Sequence, residues 1–266
     1  AINPNAFNWQ AGSILSGISL MAWGFGYFGQ PHILARFLGI KSADHVPAAR
    51  KIAMSWMITA LILSTCIGII GIAYAEVYSL AGVAGENGNS ERVFLALSNA
   101  LFSPWISGIV LAAVLAAVMS TADSQLLVLS SALTEDISAF KNVPPKKKVW
   151  LSRFGVVGFA GLAYLIAAND TGTILGMVGY AWGGFGAAFG PLIILSLVWR
   201  DTTKMGATAG IVVGALSIFI FKNYVSFEGH YFYELLPSFI LAFISIVVVS
   251  KFTAKPSDEL LNKLKM

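Results

Sequence analysis

Long intervals without charged side chains decide the class of this chain. Between Arg92 and Glu135 the sole charged residue is Asp123, and comparable apolar intervals recur along the sequence. A helix needs roughly 20 mostly apolar residues to cross about 30 Å of hydrocarbon. One helix per interval gives spans near 11–30, 51–74, 105–134, 150–168, 173–199, 205–222 and 232–250. Composition agrees: 57% of residues are hydrophobic and 11% charged, whereas a soluble chain carries about 25% charged residues. The expectation is an all-α integral membrane protein with about seven transmembrane helices, a single membrane domain over residues 1–266 and no large soluble domain.

The basic residues then choose a direction. Of the 17 lysines and arginines, all but Arg92 and Lys222 fall on one face of this arrangement. The positive-inside rule puts that face, and the 251–266 tail, in the cytoplasm and the amino end outside. The net charge of +4 is thus an orienting feature and implies no nucleic-acid partner. Pro144 to Lys148, "PPKKK", reads as an orienting loop against anionic lipid rather than a binding patch. With one cysteine, Cys66, and three histidines, no intrachain disulfide and no Cys/His metal cluster is available. The opening "AINPNAFNWQ" has neither an initiator Met nor a basic region before a cleavage site, and reads as a segment with more chain upstream. On the outer side, "SERVFLALSNALF" has the pattern of a short amphipathic helix lying over the membrane surface, with Ser90 as a candidate cap.

Two spans look wrong for plain anchors. "GISLMAWGFGYFGQPHILARF" (Gly17 to Phe37) carries Gly24, Gly26, Gly29 and Pro31 and is a poor uninterrupted helix. Broken backbone at membrane depth is tolerated only against protein or a wet cavity. On a helix, Trp23, Tyr27, Gln30 and Pro31 would share one face, either as interfacial aromatics and packing glycines or as a site. His32 reads as a structural hydrogen-bonding residue. The second is "AAVMSTADSQLL" (Ala116 to Leu127), where hydroxyls, an amide and a carboxylate interrupt an apolar helix. Ser120 and Thr121 can both bond back to the Ala117 carbonyl, and the same geometry gathers three oxygens of the kind a hard cation takes. Asp123 is costly in lipid, so it should face a cavity, a partner or the inner end of the helix. In "TGTILGMVGYAWGGFGAAFGPLIILSLVW", Gly172/Gly176, Gly179/Gly183 and Gly186/Gly190 have the four-residue spacing that lets helices approach closely. Tyr180, Trp182 and Phe185 among them read as packing, with a gate as the alternative. The last two spans show no chemical motif.

"WGFGYFGQPHILARF" (Trp23 to Phe37) and "AAVLAAVMSTADSQLLVLSSALTED" (Ala112 to Asp136) together resemble the sodium/solute symporter family. The Trp-x3-Tyr-x2-Gln-Pro-His arrangement is most similar to its proline-transporting members. The resemblance covers essentially the whole chain and corresponds to the C-terminal part of such a protein. It implies an inverted-repeat fold of five plus five helices with sites between broken helices. Residues 11–199 would be the second repeat and 205–250 two peripheral transmembrane helices. It further implies L-proline bound by Trp23, Tyr27 and Pro31 with Gln30 beside them, and sodium held by the Ser120 and Thr121 hydroxyls and the Ala117 carbonyl. Asp123 and Ser124 would shape the inner pathway. The implied activity is sodium-coupled symport in a bacterial inner membrane, requiring the first-repeat helices as partners, with no enzymatic chemistry. A related amino-acid or organic-solute symporter and a transporter-like sensor are the alternatives. A seven-helix retinal protein or receptor and an intramembrane enzyme are disfavoured by the lack of a mid-membrane lysine in the last span and of paired acids.

Overall fold

The computed structural model describes residues 14–78, 80, 83, 89–137, 143–169, 172–225 and 233–256. Six helices among them are long and apolar enough to cross a membrane, over 43–78, 104–136, 145–169, 174–198, 204–224 and 235–252. They match six of the seven expected spans, several extended by a few residues. The first expected span is broken, as its glycines and proline predict. It runs as α1 (Ile14–Met21), a turn at Ala22, α2 (Trp23–Gly26), a 3-10 turn over Tyr27–Gly29, and α3 (Pro31–Leu38). Gln30, between the last two, is extended with φ −82° and ψ 113°, the region to which a following proline restricts its predecessor.

The contacts divide the chain into two units, residues 39–172 and residues 9–38 with 173–266. The expected repeat over 11–199 therefore runs through both.

The first unit contains α4 (Val46–Tyr78), α5 (Val93–Leu101), α6 (Pro104–Ser131) and α7 (Pro145–Asn169). Pro104 opens α6 at its first turn, where a missing N–H costs nothing. Asn89, not Ser90, caps the turn before α5: its side chain accepts from the Glu91 amide at 2.9 Å. α5 is short, as expected, and packs its Val93 and Leu97 against Gly71 of α4. The Ser107 hydroxyl of α6 donates to the Ser98 carbonyl at 2.9 Å. α6 ends in a π-helical turn, Ala132–Asp136. That corner is tied to α7 by Ser152 donating to Ser130 at 3.2 Å and by a Lys148–Glu135 ion pair at 2.8 Å.

In the second unit, α8 (Ile174–Val198), α9 (Lys204–Tyr224) and α10 (Leu235–Phe252) pack together, and the middle of the broken first span, Trp23 to Gly29, lies against α8. Thr173 and Thr203 cap α8 and α9, accepting from the Gly176 and Gly206 amides at 3.1 Å. The core is Ala22, Ala187, Ile218, Tyr233, Leu235 and Phe239, flanked by Trp23 and Trp182. At one end Thr203 meets Ser250 and Thr253, with a Lys255–Asp201 pair at 2.9 Å; at the other Lys222 pairs with the buried Glu234 at 3.7 Å. Close approach is built on glycines. A Cβ at Gly206 or Gly210 would run into Ser250 or Ile246 of α10, and one at Gly214 into Ala187 of α8.

Candidate functional site

Within the second unit, the residues expected to share a face converge on Trp182. The Trp23 ring stacks on Trp182 with centroids 5.5 Å apart, and Tyr27 meets Trp182 edge-on at 4.8 Å. Gln30 is buried and donates its amide to two carbonyls, Trp182 at 3.1 Å and Gly26 at 3.3 Å. In return the Trp182 indole N–H donates to the Trp23 carbonyl at 3.0 Å. The broken backbone is thus satisfied by side chains, as apolar surroundings demand. Pro31 opens α3 directly after this junction. Gly26 and Gly29 let the two segments touch: Gly26 abuts the Trp182 indole and Gly29 the Phe185 carbonyl. Gly26, Gly29 and Gln30 all meet α8 between Trp182 and Gly186, so the break lies against one turn of that helix.

Tyr233, at the entry to α10, completes the set. Its ring stacks on Trp23 at 5.7 Å and its hydroxyl donates to the Gly179 carbonyl at 2.8 Å. Sequence reading missed Tyr233, which lay at the edge of an expected span like any interfacial aromatic. Trp182 was noted but read as packing. The resulting cluster is apolar, aromatic and without a charged side chain of its own. Tyr27 presents the most open ring, 43% exposed, while Tyr233 is 2% exposed. Such faces suit a small apolar ring.

In the first unit, the Ser120 and Thr121 hydroxyls both donate to the Ala117 carbonyl, at 2.9 Å and 3.2 Å. Three oxygens therefore lie together on one exposed side of α6. The Ser124 hydroxyl donates to the Ser120 carbonyl at 2.8 Å, adding another oxygen donor one turn on. Asp123 is exposed on the same helix. One helix supplies too few ligands to strip a cation of its water, since hard cations take about six oxygens, so completing a site requires oxygens from beyond α6. Two open clefts in this unit, of about 300 Å³ between α5 and α6 and about 440 Å³ between α4 and α5, are lined by none of the expected site residues. The expected substrate and ion residues thus form two local groups, one in each unit.

The profile described as the Sodium:solute symporter family matches residues 3–214. The sodium/proline symporter of Escherichia coli strain K12 is 49% identical over 244 residues, covering 90% of this chain and 48% of that protein. The sodium/proline symporter of Haemophilus influenzae strain Rd is 44% identical over 251 residues, 92% of this chain and 49% of that protein. The osmoregulated proline transporter OpuE of Bacillus subtilis strain 168 is 43% identical over 261 residues, 97% of this chain and 52% of that protein. The chain spans about half the length of the curated relatives it matches. No solved structure matches it.

Proposed function

Because the chain belongs to the sodium:solute symporter family, we propose that it contributes the second five-helix repeat, residues 11–199, to sodium-driven uptake of L-proline. The observation that carries this reading is the convergence of the Ser120 and Thr121 hydroxyls on the Ala117 carbonyl. Replacing those internal bonds with a cation turns three helix oxygens into ligands without moving the backbone. The names of the relatives, sodium/proline symporters and proline transporters, support the choice of ion and substrate.

In this reading Tyr27 contacts the pyrrolidine ring, and Trp23 forms the wall behind it. Pro31 sets the break beside the substrate. Gln30 holds that break open by bonding Gly26 and Trp182. Asp123 and Ser124 lie one turn beyond the ion ligands on the path toward the cytoplasm. The C-terminal tail is cytoplasmic and the membrane is the bacterial inner membrane, with α9 and α10 as peripheral helices. Sodium entry down the membrane potential supplies about 2.3 kcal/mol per charge per 100 mV. Coupling is reciprocal: sodium tightens proline binding by the same factor as proline tightens sodium binding.

The test is uptake of labelled proline into energised vesicles by the protein as its gene encodes it, with and without a sodium gradient, for wild type and Ser120→Ala/Thr121→Ala. The expected result is sodium-dependent uptake in wild type. In the variant, half-maximal uptake should need on the order of tenfold more sodium for each lost hydroxyl, the scale of a polar bond to a charged group. Proline uptake indifferent to sodium would return the hydroxyls to helix back-bonding. Sodium-driven uptake of another solute in place of proline would retain the family and discard the substrate.

A further inference from the structure

We propose that the outward face of the first turns of α7 seats the headgroup of an anionic phospholipid, a role independent of the transport reading. The register of α7 separates two faces. Lys148, Ser152 and Gly155 turn toward α6, where they meet Glu135, Ser130 and Leu133. Lys146, Trp150, Arg153 and Val157, spaced i, i+4, i+7 and i+11, lie on the other side and are exposed. Trp150 is 58% and Phe154 68% exposed, and the two rings lie 6.0 Å apart. This is an exposed aromatic surface ending in cations.

The depth of these groups follows from length. At about 1.5 Å per residue, 25 residues span roughly 37 Å, some 7 Å more than the hydrocarbon core. The surplus, if it emerges at the basic end, puts Lys146 and Lys147 among the headgroups and Trp150 at the boundary, where its ring is stable. Arg153 starts about a turn deeper but does not stay there. Helical side chains lean toward the N-terminus, and its guanidinium lies over the Trp150 ring, 5.1 Å from the centroid. It is thereby brought back to the boundary, in the manner of a snorkelling cation.

Charge then selects the occupant. Lys148 is spent on Glu135, whereas among the described residues Lys146, Lys147 and Arg153 have no carboxylate paired with them. A guanidinium resting over an indole face keeps N–H groups for another acceptor, and a phosphodiester is matched to its fork. Two ammonium groups about one turn above Trp150 supply the remaining countercharge, so a headgroup with net negative charge is favoured over a zwitterionic one, whose own cation would meet Lys146 and Lys147.

The test reconstitutes the protein as its gene encodes it into phosphatidylcholine bilayers doped with phosphatidylglycerol. One portion of the phosphatidylglycerol carries a spin label, and another a photoreactive group near the headgroup. The spin label should show a several-fold preference of the protein-bound lipid shell for phosphatidylglycerol, persisting in excess inorganic phosphate. Neutralising one cation, as in Arg153→Gln, should cut the preference by up to about fivefold, and neutralising two, as in Lys146→Gln/Lys147→Gln, should cut it at least as far. Arg153→Lys should retain part of it, and Lys251→Gln, at the same net charge, all of it. Photoproducts in the unmodified protein should map to residues 145–157, a readout that needs no variant to fold. Photoproducts confined elsewhere, equal association of both lipids, displacement by inorganic phosphate or equal loss in Lys251→Gln would each overturn the proposal.

Discussion

Gly184 and Gly186 lie two positions apart on α8 and meet opposite surroundings. No atom of another element lies within 4 Å of a Cβ built on Gly184, whereas one on Gly186 would sit 2.7 Å from the Gly26 Cα and 3.0 Å from Leu235. Gly186→Ala should therefore destabilise by about 1–3 kcal/mol through overpacking against backbone. Gly184→Ala should be neutral or stabilise by up to ~1 kcal/mol through helix propensity. Thermal unfolding in detergent measures both, and equal effects would refute the close approach of α2 to α8. Sequence spacing flagged Gly186 with Gly190 as contact residues, but it could not separate Gly186 from Gly184. That distinction depends on which side of the helix a neighbour occupies. The hydroxyls of Ser120 and Thr121 show the converse: their bonds to Ala117 are local, three and four residues back, and were legible from spacing alone.

A break in a helix is a local event, but its repair is not. Pro31 and the glycines before it announce the interruption of the first span, and the extended Gln30 places it. The donor that satisfies the Trp23 carbonyl comes from Trp182, 159 residues away, and Gln30, which bonds the Gly26 carbonyl, also donates to the Trp182 carbonyl, 152 residues away. Removing either half of this exchange should cost about 1–3 kcal/mol, because a buried polar group loses its partner. Gln30→Leu is expected to lower the unfolding temperature and to weaken proline binding by releasing Trp23 and Tyr27. Trp182→Phe, which keeps an aromatic ring and removes the N–H donor, should do the same through the Trp23 carbonyl. Tryptophan fluorescence on titration with proline reads the binding, and unchanged affinity in both variants would separate the junction from the proposed substrate site. The same scale explains the join of α9 to α10. Gly206, Gly210 and Gly214 stand at four-residue spacing, a signal present in the sequence, yet the pin of Thr203 on Ser250 and Thr253 required knowing that the start of one helix meets the end of the other.

Across the whole molecule, membrane orientation is the property most directly written in charge. With Cys66→Ser as background, Lys255→Cys is expected to react with an impermeant maleimide only in inside-out vesicles, and Glu91→Cys only in right-side-out ones; the reverse pattern would invert the topology. Lys255 pairs with Asp201 at the surface, where an ion pair contributes less than about 1 kcal/mol, so its replacement should leave the fold intact. Within the second unit, the antiparallel succession of α8, α9 and α10 agrees with alternating crossings. In the first unit, the most apolar 18-residue stretches of α6 and α7 contain no buried residue, while that of α8 is 39% buried, so the unpartnered apolar surface of α6 and α7 is solvated by lipid or by other helices. Sequence alone determined the all-helical membrane class, six of the spans, the broken first span and the pairing of hydroxyls with Ala117. Each of these follows from hydropathy over about 20 residues or from bonds within one helical turn. Only the tertiary structure decided that Trp182 and Tyr233 join Trp23 and Tyr27, that Gln30 bridges two segments, and that α9 and α10 pack with α8 in one unit. Apart from the bond of Gln30 to Gly26, those contacts join different elements, 27 positions apart for Ala187 and Gly214 and 159 for Trp23 and Trp182, and no local periodicity encodes which apolar face will bury which.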